Sequence, residues 1–203
     1  MIKTFETKTT KPCWGVTKPF ILASSSSRRI RLLENAGFKP LEIVPADIDE
    51  TERKSEKPDK YVLRVATEKA KYVAGLHPGI CVVAADTIIV AEGQIVRKAA
   101  TKEKARANFK LLSGGTHYAY TGYCIISAQG STIVRLVKTT IKTKKFTRAE
   151  INTLIESKEW QNVAAYGIEG LFSTLVKDIQ GSYTNIIGLP IYEVTRDLKK
   201  VLK

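Results

Sequence analysis

The sequence predicts an α/β fold, and three features of the chain support this class. A continuously apolar, β-branched run at 80–85 is typical of a central strand buried on both faces. Two long segments of alternating polarity, 117–127 and 131–145, are joined at 129–130 and predict a hairpin. Amphipathic segments with apolar residues three and four positions apart separate several of the predicted strands. The chain of 203 residues can hold one large α/β domain or two small lobes.

The first half of the chain alternates predicted strands and helices. Residues 1–19 show no sustained apolar period and predict an N-terminal extension, followed by a single domain over 20–203. A glycine stop ends the first helix and a proline starts the second, and these helices are predicted at 28–36 and 58–76. Short apolar runs predict strands at 20–23, 41–45, 80–85, 88–90 and 94–96, the last two as a hairpin.

The second half begins with a predicted helix at 101–112, which ends before two glycines. After the long hairpin, residues 147–150 form a capping box, in which a threonine and a glutamate three residues later open a helix. An apolar run predicts a strand at 171–179, and a final helix follows Pro190.

Four consecutive serines, residues 24–27, lie between the first predicted strand and the first predicted helix. Free backbone N–H groups, the positive end of the helix dipole and serine hydroxyls would converge there with Arg28 and Arg29 on a phosphate. The pattern predicts an anion site, and an ordinary serine-capped helix is the alternative.

Carboxylates follow two of the predicted strands. Asp49 and Glu50 come after the second strand, and Asp86 is predicted to end the apolar run at 80–85. Open α/β sheets build sites at strand ends, where carboxylate oxygens can hold a divalent cation; loop solubility or a turn cap is the alternative. Lys69 lies on or beside the apolar stripe of the second helix, so it either extends to solvent or reaches a site.

The chain is basic, with 33 Lys and Arg against 20 Asp and Glu, a formal net charge of +13. Such a charge suits a polyanionic partner: nucleic acid, an acidic membrane or a nucleotide. A solvated strand face explains the densest basic group better than a nucleic-acid patch does, because no aromatic residues are interleaved to stack bases. This group consists of Lys138, Lys142, Lys144, Lys145 and Arg148.

Several classes of protein are disfavoured. Cys13, Cys81 and Cys124 form no Cys-x-x-Cys pair, which argues against a disulfide framework or a thiolate zinc site and predicts a cytoplasmic protein. The two histidines have no acid and nucleophile nearby in sequence, so a catalytic triad or zinc hydrolase is not expected. No apolar run approaches the roughly 20 residues of a membrane helix, and the N-terminus lacks the apolar core of a secretion signal.

Several motifs that occur in a fixed order along the chain carry a family resemblance. They lie at 22–29, 47–50, 69–70, 85–87, 112–117, 165–170 and 181–185. Over residues 21 to about 198 the chain resembles the Maf family of nucleotide pyrophosphatases, also called septum formation inhibitor proteins. The resemblance implies an elongated mixed-sheet fold of the Maf/ITPase type, with two lobes around a central cleft. It also implies hydrolysis of a nucleoside triphosphate to the monophosphate and pyrophosphate, a homodimer, and a divalent cation, magnesium or manganese.

The resemblance also assigns roles to residues. Asp86 matches the family's proposed general base, which activates a water for attack at the α-phosphorus. Glu50 and Asp86 offer the oxygen ligands that a divalent cation prefers. The residues assigned to the phosphates of the substrate are Ser24, Ser26, Arg28, Arg29, Lys69 and Lys98.

Three positions in this family are linked to the choice of base: Arg28, Thr87 and Glu169. Arg28 and Thr87 match the relatives that act on dTTP and UTP, whereas a glutamate at 169 is typical of relatives that hydrolyse 7-methyl-GTP. The sequence therefore favours dTTP or UTP and keeps 7-methyl-GTP as an alternative. A non-catalytic, basic nucleic-acid-binding protein is the alternative from another class, and the carboxylates argue against it because they would repel a phosphate backbone.

Overall fold

The structure, a computed structural model, describes residues 18–161 and 163–202. The predicted N-terminal extension, residues 1–19, lies outside the described residues except for Lys18 and Pro19, and so does Cys13. The described chain combines one seven-stranded mixed sheet with helices on both of its faces, which confirms the predicted α/β class. Within this part of the chain, no helix is both long and apolar enough to cross a membrane.

The sheet has the strand order β2-β1-β3-β5-β6-β7, and β4 pairs with β3 outside this path. Its strands are β1 (Phe20–Leu22), β2 (Glu42–Ile43), β3 (Cys81–Ala91), β4 (Gln94–Val96), β5 (Thr116–Ile126), β6 (Thr132–Thr143) and β7 (Val176–Gln180). The pairs β1–β2 and β1–β3 are parallel, and the others are antiparallel. The predicted long hairpin is confirmed as β5 and β6.

The helices are α1 (Ser27–Asn35), α2 (Pro58–Leu76), α3 (Lys102–Leu112), α4 (Arg148–Glu156), α5 (Tyr183–Ile187) and α6 (Ile191–Val201). Local signals in the sequence correctly marked several of their ends. Thr101 caps α3, and the side chains of Thr147 and Glu150 form the complete capping box of α4. The chain leaves α1 through Gly37, whose φ of 78° is a conformation that glycine adopts without strain.

The central strand differs from its prediction. Asp86 was predicted to end a strand at 80–85, but β3 continues through Asp86 to Ala91. Its neighbour β5 pairs with it from Val82 to Val90, and this unbroken ladder holds the chain extended on both sides of the carboxylate. Asp86 therefore lies in the middle of a strand rather than at its end.

The region from 171 to 190 also differs from its prediction. The apolar run at 171–179 begins as a 3-10 helix over Leu171–Leu175, and the strand β7 starts only at Val176. Burial of Phe172 and Leu175 against the core favours the helical turn, because it turns both side chains inward. The short helix α5, which the sequence did not predict, follows Ser182, and this serine accepts a hydrogen bond from the backbone of Asn185.

Apolar clusters occupy both faces of the sheet. Helix α2 packs on one face through residues such as Val73, against Ile21 and Cys124. On the other face, one cluster joins β1 and β3 to α1 and α6, and a second joins the far part of β3 to α3, α4 and the 3-10 helix. No residue belongs to both clusters on this second face. Along β3, Thr87 lies between the residues of one cluster and the residues of the other.

A buried carboxylate fastens α6 to the sheet. Asp197 is fully buried, and its Oδ2 accepts hydrogen bonds from the Tyr123 hydroxyl at 2.8 Å and from Nε of Arg135 at 2.5 Å. Burial by itself raises the pKa of Asp197, but hydrogen bonds from Arg135, Arg196 and Tyr123 outweigh it and bring the pKa to about 2. The ionised carboxylate therefore stabilises the folded state.

Asp197→Asn is expected to lower the free energy of unfolding at pH 7 by roughly 2 kcal/mol, the value of a pKa depressed from 3.8 to about 2. A depressed pKa stabilises the protein fully above the unfolded value, and the stabilisation is lost as the pH falls from about 4 to 2. The difference between wild type and variant in urea unfolding should therefore shrink across that range. Asp178→Asn, at an exposed residue, is the control, and a difference independent of pH would contradict this account.

Candidate active site

The candidate site lies at a gap on one edge of β3. Strand β1 pairs with β3 as far as Val83, and β4 pairs with it from Ile89 onward, so residues 84–88 lie between the two partners. The chain leaves β1 directly into the four consecutive serines at 24–27, which we call the serine turn. It leaves β4 at Val96 toward Lys98. Both departures bring polar residues to the gap, where a cleft of about 450 Å³ opens.

The serine turn forms the N-terminus of α1 as the sequence predicted. The Ser26 side chain caps the helix by accepting a hydrogen bond from the backbone N–H of Arg29, at 3.5 Å. Residues 24–29 all line the cleft. The positive end of the α1 dipole and the side chain of Arg28 therefore face the same space, an arrangement that suits an anion.

Arg29 is held in the wall of the cleft by protein contacts. Its Nε donates to the carbonyl oxygen of Gly188 at 2.8 Å, and its two terminal nitrogens donate to Ser24 Oγ at 3.0 Å and Thr87 Oγ1 at 3.2 Å. Burial lowers the pKa of Arg29, against the opposing effects of Asp86 and Glu50. An arginine remains protonated in proteins, so the site keeps a buried positive charge.

Two carboxylates and one ammonium meet on the α2 side of β3. Nζ of Lys69 lies 2.7 Å from Oε2 of Glu50 and 3.1 Å from Oδ1 of Asp86, and the lysine side chain is only 12% exposed. Lys69 therefore reaches the site rather than solvent. The arrangement holds one net negative charge in a partly buried position, beside the positive charges of the serine turn.

A network that the sequence did not reveal fixes the loop that carries Glu50. The Arg64 guanidinium on α2 donates to both carboxylate oxygens of Glu56, at 2.7 and 2.8 Å, and to the carbonyl oxygen of Thr51 at 3.0 Å. Its hydrogen bonds with Glu56 raise the pKa of Arg64 above its ordinary value. The Tyr61 hydroxyl donates to the carbonyl oxygen of Glu50 at 3.0 Å. These bonds tie the loop to the helix that also supplies Lys69.

The opposite wall of the cleft is largely apolar, and the sequence did not predict it. It is formed by Ile89, Val163, Ala164, Tyr166, Ile186 and Ile187. The Tyr166 ring stacks on Phe172 with ring centroids 3.6 Å apart, and its hydroxyl lies 2.6 Å from Nε2 of His117. Burial lowers the pKa of His117 to about 4, so the ring is neutral at pH 7. An apolar surface next to a charged end suits a ligand that has an apolar part and a charged part.

Nine of the predicted site residues line this cleft: Ser24, Ser26, Arg28, Arg29, Glu50, Lys69, Asp86, Thr87 and Lys98. The structure does not place Glu169 among the lining residues. Its Oε1 lies 2.6 Å from a terminal nitrogen of Arg31, and both side chains are well exposed. Thr87 uses its hydroxyl within the protein, at 2.9 Å from Thr121 Oγ1 and 3.1 Å from the carbonyl oxygen of Gly188.

The site fits a hard divalent cation through two carboxylates. Among the described residues there is no group of three or more His, Cys, Asp or Glu side chains that could hold a metal ion by themselves. Glu50 and Asp86 nevertheless converge within hydrogen-bond distance of one atom, Nζ of Lys69. Two carboxylates completed by substrate phosphates are the usual ligands of Mg²⁺ in nucleotide enzymes.

Known proteins resemble this chain over most of its length. The family model described as Maf-like protein matches residues 19–201. A dTTP/UTP pyrophosphatase from Caulobacter vibrioides is 41% identical over 174 residues, which are 85% of this chain and 90% of the relative. One of the same name from Hyphomonas neptunium is 42% identical over 176 residues, 86% of this chain and 91% of the relative.

A solved structure of a nucleoside-triphosphatase/dITP/XTP pyrophosphatase from Mycobacterium abscessus covers 62% of this chain and 72% of its own, with a TM-score of 0.37 and 15% identity. A likeness this weak adds nothing to the assignment. The family match over residues 19–201, together with relatives above 40% identity, is sufficient without it. The chain belongs to the Maf family.

Proposed function

We propose that this protein hydrolyses dTTP- or UTP-type nucleoside triphosphates to the monophosphate and pyrophosphate. The observation that carries the proposal is the cleft at β3, where a cationic serine turn, the Glu50–Lys69–Asp86 cluster and an apolar wall line one space. Its volume of about 450 Å³ lies in the range of small-ligand sites. The names of the similar dTTP/UTP pyrophosphatases support the same activity.

The phosphates would bind at the charged end of the cleft. The α1 N-terminus and Arg28 offer donors, and Arg29 has three of its five N–H groups bonded to protein, so the remaining two can donate to a phosphate. Lys69 and Lys98 add point charges on the other side. Positioning and charge neutralisation are the main catalytic needs of phosphoryl transfer.

Asp86 is the proposed general base. Its carboxylate accepts a proton from a water whose oxygen forms the new bond to the α-phosphorus, while the bond from that phosphorus to the bridging oxygen breaks and pyrophosphate leaves. A divalent cation on Glu50 and Asp86 would supply further neutralisation of the phosphate charge. Lys69 keeps the two carboxylates close together in the free protein.

The base and sugar would lie toward the apolar wall. Ile89 and Ile186 offer apolar contact there, and the ring of Tyr166 is fixed by Phe172 and His117. A rigid wall would contact the base without a loss of side-chain entropy on binding. The apolar wall favours a nucleotide over an extended polyanion, because a charged backbone gains nothing from apolar contact.

The decisive experiment measures pyrophosphate release from dTTP, UTP, CTP, 7-methyl-GTP and ATP in the presence of Mg²⁺ or Mn²⁺. We expect the largest kcat/KM for dTTP or UTP, and equimolar monophosphate and pyrophosphate as products. Release of inorganic phosphate alone, or no turnover of any nucleotide, would reject the proposal. Tight binding of an oligonucleotide without turnover would favour the nucleic-acid-binding alternative.

The Glu169 carboxylate is expected to have little influence on base preference. Because it bonds with Arg31 and is not among the residues that line the cleft, Glu169→Gln should change the ratio of kcat/KM for dTTP and 7-methyl-GTP by less than about threefold. Gln also keeps a hydrogen-bond acceptor for Arg31. Arg31→Gln, at the other end of the same ion pair, is the matched control. A switch of tenfold or more in Glu169→Gln alone would show that this side chain reaches the base.

The proposal includes a cytoplasmic location and a homodimer. Cys81 and Cys124 are free and buried, and burial raises the pKa of their thiols to about 12 and about 11. Unreactive thiols that form no disulfide with each other suit a reducing compartment. The homodimer stays a prediction, which sedimentation equilibrium on the full chain would check.

A further inference from the structure

Helices α3 and α4 lie side by side, and their cross-helix contacts follow an antiparallel register. Nζ of Lys102 lies 2.9 Å from Oε1 of Glu156, and one turn further a terminal nitrogen of Arg106 donates to Oδ1 of Asn152 at 2.7 Å. Each step of four residues forward on α3 is a step of four backward on α4. By this register Lys110 comes opposite Arg148. The series therefore runs from an ion pair, through a charge–amide pair, to two facing cations.

A groove opens at the basic end of this helix pair. The α3–α4 groove has a volume of about 660 Å³ and is lined by Arg106, Lys110, Arg148, Ile151 and Asn152. Three of these five side chains are cationic, and none of the described lining residues is acidic. Like charges on adjacent turns and across a groove repel, and an anion bound between them would relieve this repulsion.

The position of Arg148 increases this repulsion. Arg148 is the first residue of α4, where the positive end of the helix dipole disfavours a cation. In the part of the chain that the structure describes, no carboxylate forms an ion pair with Arg148 or Lys110. An acidic residue at one of these two positions would form an ion pair across the helices, as Glu156 does with Lys102.

Three of the neighbouring basic residues have partners of their own. Lys144 lies 2.6 Å from Oε1 of Glu150, Lys142 lies 3.8 Å from Oδ2 of Asp178, and the Lys138 ammonium lies 3.7 Å from the centroid of the Tyr118 ring. These three cations thus have partners, whereas Lys110 and Arg148 in the groove form no ion pair with any described residue. A compact, highly charged anion fits this distribution better than a nucleic-acid strand, whose charges need an extended track.

We propose that the α3–α4 groove is a second anion site, which takes a compact polyphosphate anion such as inorganic pyrophosphate. The groove shares no described lining residue with the cleft at β3, so binding there does not require the catalytic residues. Arg106 and Arg148 would bind phosphate oxygens as planar forks, with Lys110 as a point charge between them. The proposal holds whether or not the cleft hydrolyses nucleotides.

The test is an NMR titration of the full chain with sodium pyrophosphate in EDTA, followed through backbone amide signals. We expect saturable shifts at residues of α3 and α4 that line the groove, separate from those at the serine turn. Lys110→Gln combined with Arg148→Gln should weaken the groove titration at least tenfold and leave the serine-turn titration unchanged. Lys104→Gln combined with Lys177→Gln removes the same charge at exposed positions outside the groove and should behave as wild type.

Several outcomes would overturn the proposal. Groove shifts that sodium chloride reproduces at equal ionic strength would indicate screening rather than a site. Equal affinity in the Lys110/Arg148 double variant would place the anion elsewhere, and saturation by a single-stranded RNA but not by pyrophosphate would favour a nucleic-acid surface. If the double variant does not fold, Lys110→Gln alone should weaken the groove titration at least threefold, and no change there would also reject the site.

Discussion

Asp86→Asn is expected to lower kcat for dTTP about 10³-fold, because the amide keeps the shape of the side chain but cannot accept the proton of the attacking water. The variant should fold normally. Lys69 remains paired with Glu50 at 2.7 Å, so the loss of the Asp86 charge does not leave a buried ammonium without a partner. Single-turnover hydrolysis of dTTP, together with thermal unfolding, measures both parts of this expectation.

The matched control is Asp178→Asn, the same chemical change at an exposed carboxylate of β7, which should keep wild-type turnover. If Asp86→Asn retained a kcat within tenfold of wild type, another group would have to accept the proton. A fall in melting temperature that accompanies the lost activity would instead mark Asp86 as structural. The two readouts therefore separate a catalytic role from a stabilising one.

Local signals explain which parts of the site the sequence predicted. The serine turn, the cap of α1 and the glycine stop are set by residues close together in the chain, and the structure has them as expected. The position of Lys69 on the apolar stripe of α2 left solvent and a site as alternatives, and its contacts with Glu50 and Asp86 decide for the site. The family motifs selected nine residues that do line one cleft.

The contacts that the sequence could not predict join residues far apart in the chain. The sequence predicts Arg29 as a phosphate ligand but gives no sign of its bonds to Gly188, 159 residues away, and to Thr87. The predicted end of β3 at Asp86 followed from a break in the apolar run, whereas the partner strand β5 decides where the ladder continues. The apolar wall combines residues from β3 with residues 163–187, which no periodicity connects.

Gly122 shows how one of these long-range contacts places the side chain of Asp86, the proposed general base. It pairs with Asp86 across β3 and β5, and both residues face α2. A Cβ at this position would contact the Val62 carbonyl oxygen and would lie 2.7 Å from its carbon and 2.9 Å from the Leu63 nitrogen. These are backbone atoms of α2, so a rotamer change cannot relieve the overlap. The absence of a side chain at Gly122 allows α2 to approach the sheet beside Asp86.

Gly122→Ala is therefore expected to destabilise the protein by about 3 kcal/mol, at the upper end of overpacking effects, and to lower its melting temperature by roughly 10 °C. Separation of α2 from the sheet would also move Lys69 away from Asp86, so kcat/KM for dTTP should fall even where the variant is folded. Gly115→Ala is the matched control, because a Cβ there meets no atom within 4 Å and the backbone is not in the left-handed region. Its melting temperature should stay within a few degrees of wild type. Equal melting temperatures for the two variants would contradict the close approach of α2 to β5 on which the Lys69–Asp86 contact depends.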